Sequence, residues 1–321
     1  MRVADSLFWA GKTATLATAL GLLCGYAGQL AWPLELFVNF RLQYGLLFCG
    51  CVLCLLAARR FRWALLAVVG AAFCMLSVVA YTGSPWPDSS TRDTDSSSRP
   101  ASFRLVTFNV WFRNQDLRRV ATYLEQIGAD AVILLELSPE NALRLQALLP
   151  SYQFAQIDPQ PHGAVIFSRW PLAEQQFWFL CSQCTRIARA KLDWRGQQIT
   201  LLGAHLHWPI GGPAAALRRA ELQALGKLMR SRQGPTLLGG DFNLTPWSRY
   251  FSDFLAGSAL ADCTRGHGWR PTWPQQLASL GIRIDHCFAS QDWQTAAATV
   301  GPRLGSDHLP NVVDLRLRVS R

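Results

Sequence analysis

Charge is scarce in this chain. Of its 321 residues, 16% are Asp, Glu, Lys or Arg, while 50% are hydrophobic. Soluble domains carry about 25% charged residues, so part of this sequence is built for a solvent other than water. Several catalytic signatures are missing as well. There is no G-x-x-x-x-G-K-[ST] loop, which excludes the nucleotide triphosphatases that cradle phosphates that way, and no H-E-x-x-H, which excludes the zinc proteases built on it. Without a G-x-S-x-G elbow, a serine nucleophile has nowhere to start. Cys181 and Cys184 form a C-x-x-C, but no second pair follows in the C-terminal part, and a structural zinc site needs about four ligands. A disulfide among Cys181, Cys184 and Cys263 is the better expectation outside the cytoplasm. Cys287 follows a strand motif and reads as core. No internal repeat is visible.

Long apolar runs are what the sequence does have, at about 13–32, 42–58 and 63–83. Each approaches the ~20 residues that cross a bilayer as a helix. Three runs are too many for one cleaved signal peptide, so residues 1–83 are predicted to be a membrane anchor of three transmembrane helices. Arg59, Arg60 and Arg62 fill the gap between the second and third runs. Short basic loops stay in the cytoplasm, which puts the N-terminus inside and everything after residue 83 outside. In a bacterium that is the periplasmic face of the inner (plasma) membrane. Arg41 and Arg92 argue weakly the other way.

Residues 84–102, SPWPDSSTRDTDSSSRPAS, have almost nothing to bury and predict a flexible linker. Fully extended it spans roughly 60 Å at ~3.3 Å per residue, so the next domain works near the membrane. Eight of the 31 Lys and Arg and five of the 21 Asp and Glu precede residue 102, leaving 23 and 16 beyond it. A basic C-terminal part suits nucleic acid, acidic lipid headgroups or phosphate esters, without choosing among them.

From residue 103 strand and helix signals alternate. FRLVTFNVWF and DAVILLEL read as strands, as do 152–157, 163–169, 186–194, 197–206, 236–238, IRIDHCFA and NVVDLRLRV. DLRRVATYLEQIG, PENALRLQALLP and about 213–230 read as helices. The order implies a layered α/β domain over 103–318 with much antiparallel sheet.

Several strands finish in a polar residue that a core would not want. LVTFNVW offers Asn109, VILLELS offers Glu136 and LLGAHLHW offers His205. LLGGDFN offers Asp241 and Asn243, IRIDHCF offers Asp285, and LGSDHLP offers Asp307 and His308. Each alone has a structural explanation: an Asx-turn at Asp241, a helix cap at Glu136, an ion pair of Asp285 with Arg283. Together they point to one shared site, because buried carboxylates cost several kcal/mol unless paired or metal-bound. Carboxylate oxygens suit a hard cation such as Mg²⁺ or Mn²⁺, which neutralises charge on a phosphoryl group. A histidine held by a carboxylate serves as general acid or base.

TFNVW, LLEL, GAVIFSRWPL, GAHLHW, GGDFNLTP, RIDHCF and GSDHLP occur in the order and approximate spacing of the endonuclease/exonuclease/phosphatase superfamily, and residues 103–318 resemble it. The resemblance implies a four-layer α/β sandwich, two facing mixed sheets flanked by helices, here preceded by three transmembrane helices. It implies that Asp241 orients or activates the attacking water and that Asn243 binds the phosphate. Asn109 and Glu136 would hold the divalent metal with Asp307 nearby. His308 would pair with Asp285 as the acid/base dyad, and His205 would contact the phosphate or help the leaving group. The glycines before Asp241 would let the strand end approach substrate.

Two departures stand out. Some relatives place a carboxylate where this chain has Trp111, which puts a second metal in doubt, and His205 has no visible acidic partner. Trp208, Trp269 and Trp273 lie on loops beside the expected site, to pack them or to meet substrate and membrane. His162 and His267 are further candidates for substrate contact. The expected activity is hydrolysis of a lipid-linked or small phosphodiester, ahead of DNA or RNA, for which only scattered arginines (Arg113, Arg118, Arg119, Arg218, Arg219) speak. A non-catalytic scaffold on a membrane stalk is the remaining alternative.

Overall fold

The computed structural model describes residues 3–83, 102–160 and 163–318. The linker expected at 84–102 lies outside the described residues except for Ser102, and so does His162. The N-terminal part consists of α1 (Val3–Tyr26), α2 (Trp32–Glu35), a 3-10 turn (Leu36–Phe40), α3 (Arg41–Ala57) and α4 (Phe61–Thr82). Three stretches, Val3–Tyr26, Trp32–Ala57 and Phe61–Thr82, are long and apolar enough to cross a membrane. Leu20, Leu23, Leu53, Leu65 and Leu76 point outward, while Leu55, Ala64, Ala67 and Cys74 fill a small interior. Helices apolar on every side are of the kind that can cross a membrane.

The first helix is displaced from the expected run at 13–32. It begins at Val3 because Lys12 does not interrupt it: the ammonium lies 4.8 Å from the Trp9 ring centre and 5.0 Å from that of Trp63. It stops at Tyr26 because residues 27–31 turn and Pro33 opens α2.

The C-terminal part is built from β1 (Phe103–Asn109), α5 (Leu117–Ile127), β2 (Ala131–Leu135), α6 (Pro139–Gln146), β3 (Phe154–Gln156), β4 (Val165–Ser168), β5 (Leu172–Phe179), β6 (Arg186–Trp194), β7 (Gln197–His205), α7 (Gly212–Arg230), β8 (Thr236–Asp241), α8 (Arg249–Ser258), β9 (Ala261–Asp262), β10 (Asp285–Ala289), β11 (Trp293–Val300) and β12 (Asn311–Leu317). One sheet has the order β11-β12-β1-β2-β4-β3 and the other β5-β6-β7-β8-β10-β9. In each, one central pair is parallel, β1 with β2 and β7 with β8. Inward residues such as Phe103, Leu105, Ile133, Leu201, Leu237 and Val313 form the core between the sheets. α5 and α6 cover the first sheet through Val120, Leu124 and Leu145, and α7 and α8 cover the second through Leu222, Leu225, Phe251 and Phe254. This is the expected sandwich of two facing mixed sheets flanked by helices.

The glycine pair of β8 has a packing task. A Cβ on Gly239 would lie 2.2 Å from Thr107 of the facing sheet, and one on Gly240, whose φ is 148°, would lie 1.8 Å from the Ala204 carbonyl. Gly239 lets the two sheets close on each other, and Gly240 lets β8 lie against β7 within its own sheet. Cys181 and Cys184 are joined in a disulfide, whereas Cys263 and Cys287 are free and buried in the core with their sulfurs 3.2 Å apart. Cys263 is therefore not a disulfide partner of the C-x-x-C.

Buried polar contacts join the two parts. Glu35 Oε1 lies 2.6 Å from Arg218 Nη2 and accepts from Ser248 Oγ at 3.1 Å. At the end of α4 the Tyr81 hydroxyl bonds Asp262, and Arg283 pairs with both. Arg283 is thus taken by Asp262, not by Asp285. Arg41, at the start of α3, is buried with its guanidinium over the rings of Tyr26, Phe73 and Trp247.

Candidate active site

Strand register brings the polar strand ends together. β7 and β8 run parallel with His205 opposite Asp241, and β10 runs antiparallel to β8 with Asp285 opposite Asp241. Three neighbouring strands therefore present polar groups at one level. On the facing sheet β1 ends at Asn109, paired with Leu135, so Glu136 follows at the same height. The loop before β12 carries Ser306, Asp307 and His308. Ser306 Oγ donates to the Asn109 carbonyl at 2.7 Å and accepts from the His308 N–H at 2.9 Å, which seats that loop over the end of β1.

His308 Nδ1 lies 2.8 Å from Asp285 Oδ2, both groups being buried. Its Nε2 is 3.8 Å from Asp241 Oδ2 and 4.0 Å from Asp307 Oδ1. Asp241 ends its strand in an Asx-turn, its Oδ1 accepting from the Asn243 N–H at 2.9 Å. The local turn and the site are thus one feature. Asn243, with φ 51°, donates its side-chain amide to the Leu206 carbonyl at 2.8 Å. Asn109 is fully buried behind the acids and donates to Glu136 at 2.7 Å and Asp241 at 3.2 Å. Its Oδ1 accepts from the Trp111 N–H at 3.0 Å, so it aligns the two carboxylates. Glu136 and Trp111 hold φ of 61° and 66°, so left-handed backbone clusters at this site, as it does at functional sites generally. Asp307 Oδ2 accepts from the Trp273 indole at 3.1 Å, while its Oδ1 is buried without a partner.

Electrostatics follow from the crowding. Burial and then the nearby Asp285 carboxylate lift Asp241 to about 6, against the pull of His308 and His205. Burial alone depresses His308, but Asp285, Asp241 and Asp307 outweigh it and push the imidazole up to about 10. Asp241, Asp285 and His308 each place a ligand atom within 4.8 Å of the others. Asp285 bonds His308 through Oδ2, while its Oδ1, like that of Asp307, is buried without a partner, so Asp241, Glu136, Asp307 and Asp285 all bring carboxylate oxygens to the site. An all-oxygen donor set of this kind fits a hard divalent cation.

His205 Nε2 lies 3.6 Å from Glu136 and 3.9 Å from Asp241, beyond hydrogen-bond reach. Within GAHLHW the histidine with an acidic partner is His207 instead. His207 Nδ1 lies 2.8 Å from Glu221 of α7, which is fully buried and also accepts from Thr185 N at 2.7 Å and Oγ1 at 2.9 Å. H-x-H within GAHLHW was the only sequence signal for it. Trp273 meets the site through Asp307, Trp269 bonds the Ser279 carbonyl at 2.7 Å, and Trp208 is 61% exposed. Trp111, Glu136, His205, His207, Asp241, Asn243, Asp307 and His308 line a cavity of about 900 Å³, together with Trp208 and Trp273.

Two facing sheets that deliver carboxylate, amide and imidazole groups to one cleft define a sandwich of the phosphoester-cleaving class. Residues 106–308 match the Endonuclease/Exonuclease/phosphatase family, and the chain belongs to it. Its members are hydrolases acting on phosphoester bonds. The chain is similar to an endonuclease/exonuclease/phosphatase from Beutenbergia cavernae DSM 12333 at a TM-score of 0.58 and 21% identity, over 68% of this chain and 72% of that one. It is similar to D. rerio TDP2 complexed with a single-strand DNA product at 0.58 and 18%, over 67% and 99%. It is similar to a Bacteroides thetaiotaomicron mannosyl-6-phosphatase at 0.54 and 19%, again over 67% and 99%. At these identities the likeness concerns the fold. No curated protein matches the chain.

Proposed function

We propose that this protein is a membrane-anchored, divalent-metal-dependent phosphoester hydrolase whose sandwich domain faces outward. The observation that carries the reading is the convergence of the Asp285–His308 pair on Asp241, 3.8 Å from His308 Nε2, where Asp241 and His308 line a large cavity. Glu136 and Asp307, with Asn109 behind them, would hold Mg²⁺ or Mn²⁺, which would neutralise charge on the phosphoryl oxygens. Asp241 orients the attacking water. His308, fixed through Nδ1 by Asp285, holds or moves a proton at Nε2. Asn243 and His205 face the phosphate. Water adds across the P–O bond: its oxygen joins phosphorus, and the leaving oxygen takes up the proton.

Orientation draws support from where the parts meet. Tyr26, Arg41 and Tyr81, all at one end of the helical bundle, touch one another or the sandwich, and Arg59, Arg60 and Arg62 follow α3 at its other end. With that hairpin in the cytoplasm, the active site lies on the far side of the membrane. Arg41, which argues weakly the other way, packs over rings of the bundle and of the sandwich.

Nucleic acid is the second reading, favoured by the basic domain and by the TDP2 likeness. The cavity lining speaks against it. Arg186 is the one Lys or Arg there among the described residues, and Asp158 pairs it at 3.3 Å. Strand-binding grooves use rows of unpaired cations. A non-catalytic scaffold would need neither metal nor dyad. The test is full-length protein with Mg²⁺ or Mn²⁺ on bis(p-nitrophenyl) phosphate, phospholipid and oligonucleotides, with His308→Ala as the control. Metal-dependent turnover lost in the variant is expected. Oligonucleotide cleavage alone makes it a nuclease, and absence of metal binding returns the scaffold.

A further inference from the structure

The walls of the active-site cavity do not all come from the sandwich. Leu36, Asn39 and Phe40, from the 3-10 turn between α2 and α3, line the same space as Asp241 and His308. At about 900 Å³ this space is far larger than a phosphoryl group needs. Part of its lining is polar, with Glu136, Asp241, Asp307 and His308. The lining also carries large apolar side chains, Leu36 and Phe40 joined by Phe112, Phe179, Trp208 and Ile210. Large apolar side chains stay exposed there, Phe179 by 57%, Ile210 by 54% and Phe40 by 41%. Such a grouping marks a surface that meets apolar material.

The turn is held in place rather than merely passing by. Asn39 Oδ1 accepts from Thr245 Oγ1 at 2.9 Å, and Gln43 Nε2 donates to the Leu280 carbonyl at 2.6 Å. Arg218, paired with Glu35, also donates to the Asn243 carbonyl. A continuous chain of contacts thus runs from the apolar helices to the loop that follows Asp241. The same turn exposes Phe37 to the surroundings of the bundle.

Resting on the hydrolase reading above, we propose that Leu36 and Phe40 form the chain-binding half of the substrate site, and that the substrate is a membrane lipid phosphoester. Its phosphoryl group lies at Asp241 and its hydrocarbon chain runs along Leu36 and Phe40 toward the bilayer. The membrane segment is then a determinant of specificity as well as an anchor. Water-soluble phosphoesters with the same headgroup leave the apolar wall unfilled.

Full-length protein in nanodiscs, with Mg²⁺ or Mn²⁺, is assayed on phosphatidylglycerols with butanoyl, hexanoyl and octanoyl chains. We expect kcat/KM to rise with chain length through KM. A Leu36→Ala, Phe40→Ala double variant should lower the octanoyl-to-butanoyl ratio by about tenfold, a few methylenes' worth of lost burial. An octanoyl probe with a terminal diazirine should photolabel the peptide that holds Leu36 and Phe40. A ratio of one in the parent protein, labelling confined to other peptides, or preference for an oligonucleotide overturns the proposal. Labelling at Leu36 and Phe40 with no turnover of lipid or bis(p-nitrophenyl) phosphate supports the chain site and rejects the hydrolase reading. Turnover without chain dependence does the reverse.

Discussion

Glu35 and Arg218 are 183 positions apart in sequence, yet their charged groups lie 2.6 Å apart in a buried setting. Burial pulls the Arg218 guanidinium down from its usual range, while the Glu35 carboxylate holds it up. Removing the acid strands the cation. Glu35→Ala should cost about 3–5 kcal/mol, read as a lower thermal midpoint of the full-length protein. Replacing both partners by apolar residues, Glu35→Leu with Arg218→Met, should recover most of the loss. A midpoint unchanged in Glu35→Ala would mean that the pair contributes nothing.

The Asp285–His308 pair should behave as a unit. His308→Ala and Asp285→Asn are each expected to lower kcat by about 10²–10⁴-fold, and the double variant should be no slower than His308→Ala. Multiplicative losses would show two independent roles.

Asn109 donates to the proposed ligand Glu136 and to the neighbouring Asp241. Asn109→Ala should weaken metal binding by about 10–100-fold, measured calorimetrically with Mn²⁺, because outer partners orient the ligands. EDTA should abolish turnover and Mg²⁺ or Mn²⁺ restore it. Tight Mn²⁺ binding in a Glu136→Gln, Asp307→Asn variant would place the ion elsewhere.

Acid should unfold the sandwich through two groups away from the site. Burial, with Arg283 beside it, drives His286 down to about 4 from an ordinary 6.5. Its neutral form is the one the fold prefers, so its contribution is complete above the ordinary value and fades as pH falls through about 4. Asp262 is opposed by burial but held down by Arg283, His286 and Tyr81 to about 2. Its contribution is complete above the ordinary carboxylate range and fades toward pH 2. Denaturation midpoints should fall in two stages, and His286→Phe should remove the first. A single stage in the parent protein would contradict this.

Much of the sandwich was legible because its central strands carry their signal locally. FRLVTFN and AVILL are apolar runs buried on both faces, and DLRRVATYLEQI has a clean amphipathic face. β5 and β11 were not, because they sit at the sheet edges, where Glu174 and Gln176 or Gln294 face water and blur the pattern. IRIDHCFA was read as one strand, but Ile282 pairs with Trp273 and β10 starts only at Asp285. The helix α8 was also missed; Ser248 caps it directly after a turn, and the apolar stripe is short. At the site, the strand ends announced themselves as polar residues in apolar runs. Glu221 and Arg218 did not. They sit on a helix face that reads as solvated until His207 and Glu35 arrive from remote parts of the chain.

Tyr81, Asp262 and Arg283 close the other end of the same contact. With Glu35 and Arg218 they make the helices and the sandwich neighbours by noncovalent means, whatever the peptide between residues 83 and 102 does. Severed there by a protease, the two halves would remain a complex, and the small half would still wall the large one's cavity. The N-terminal helices are in that sense a subunit translated in line with its partner.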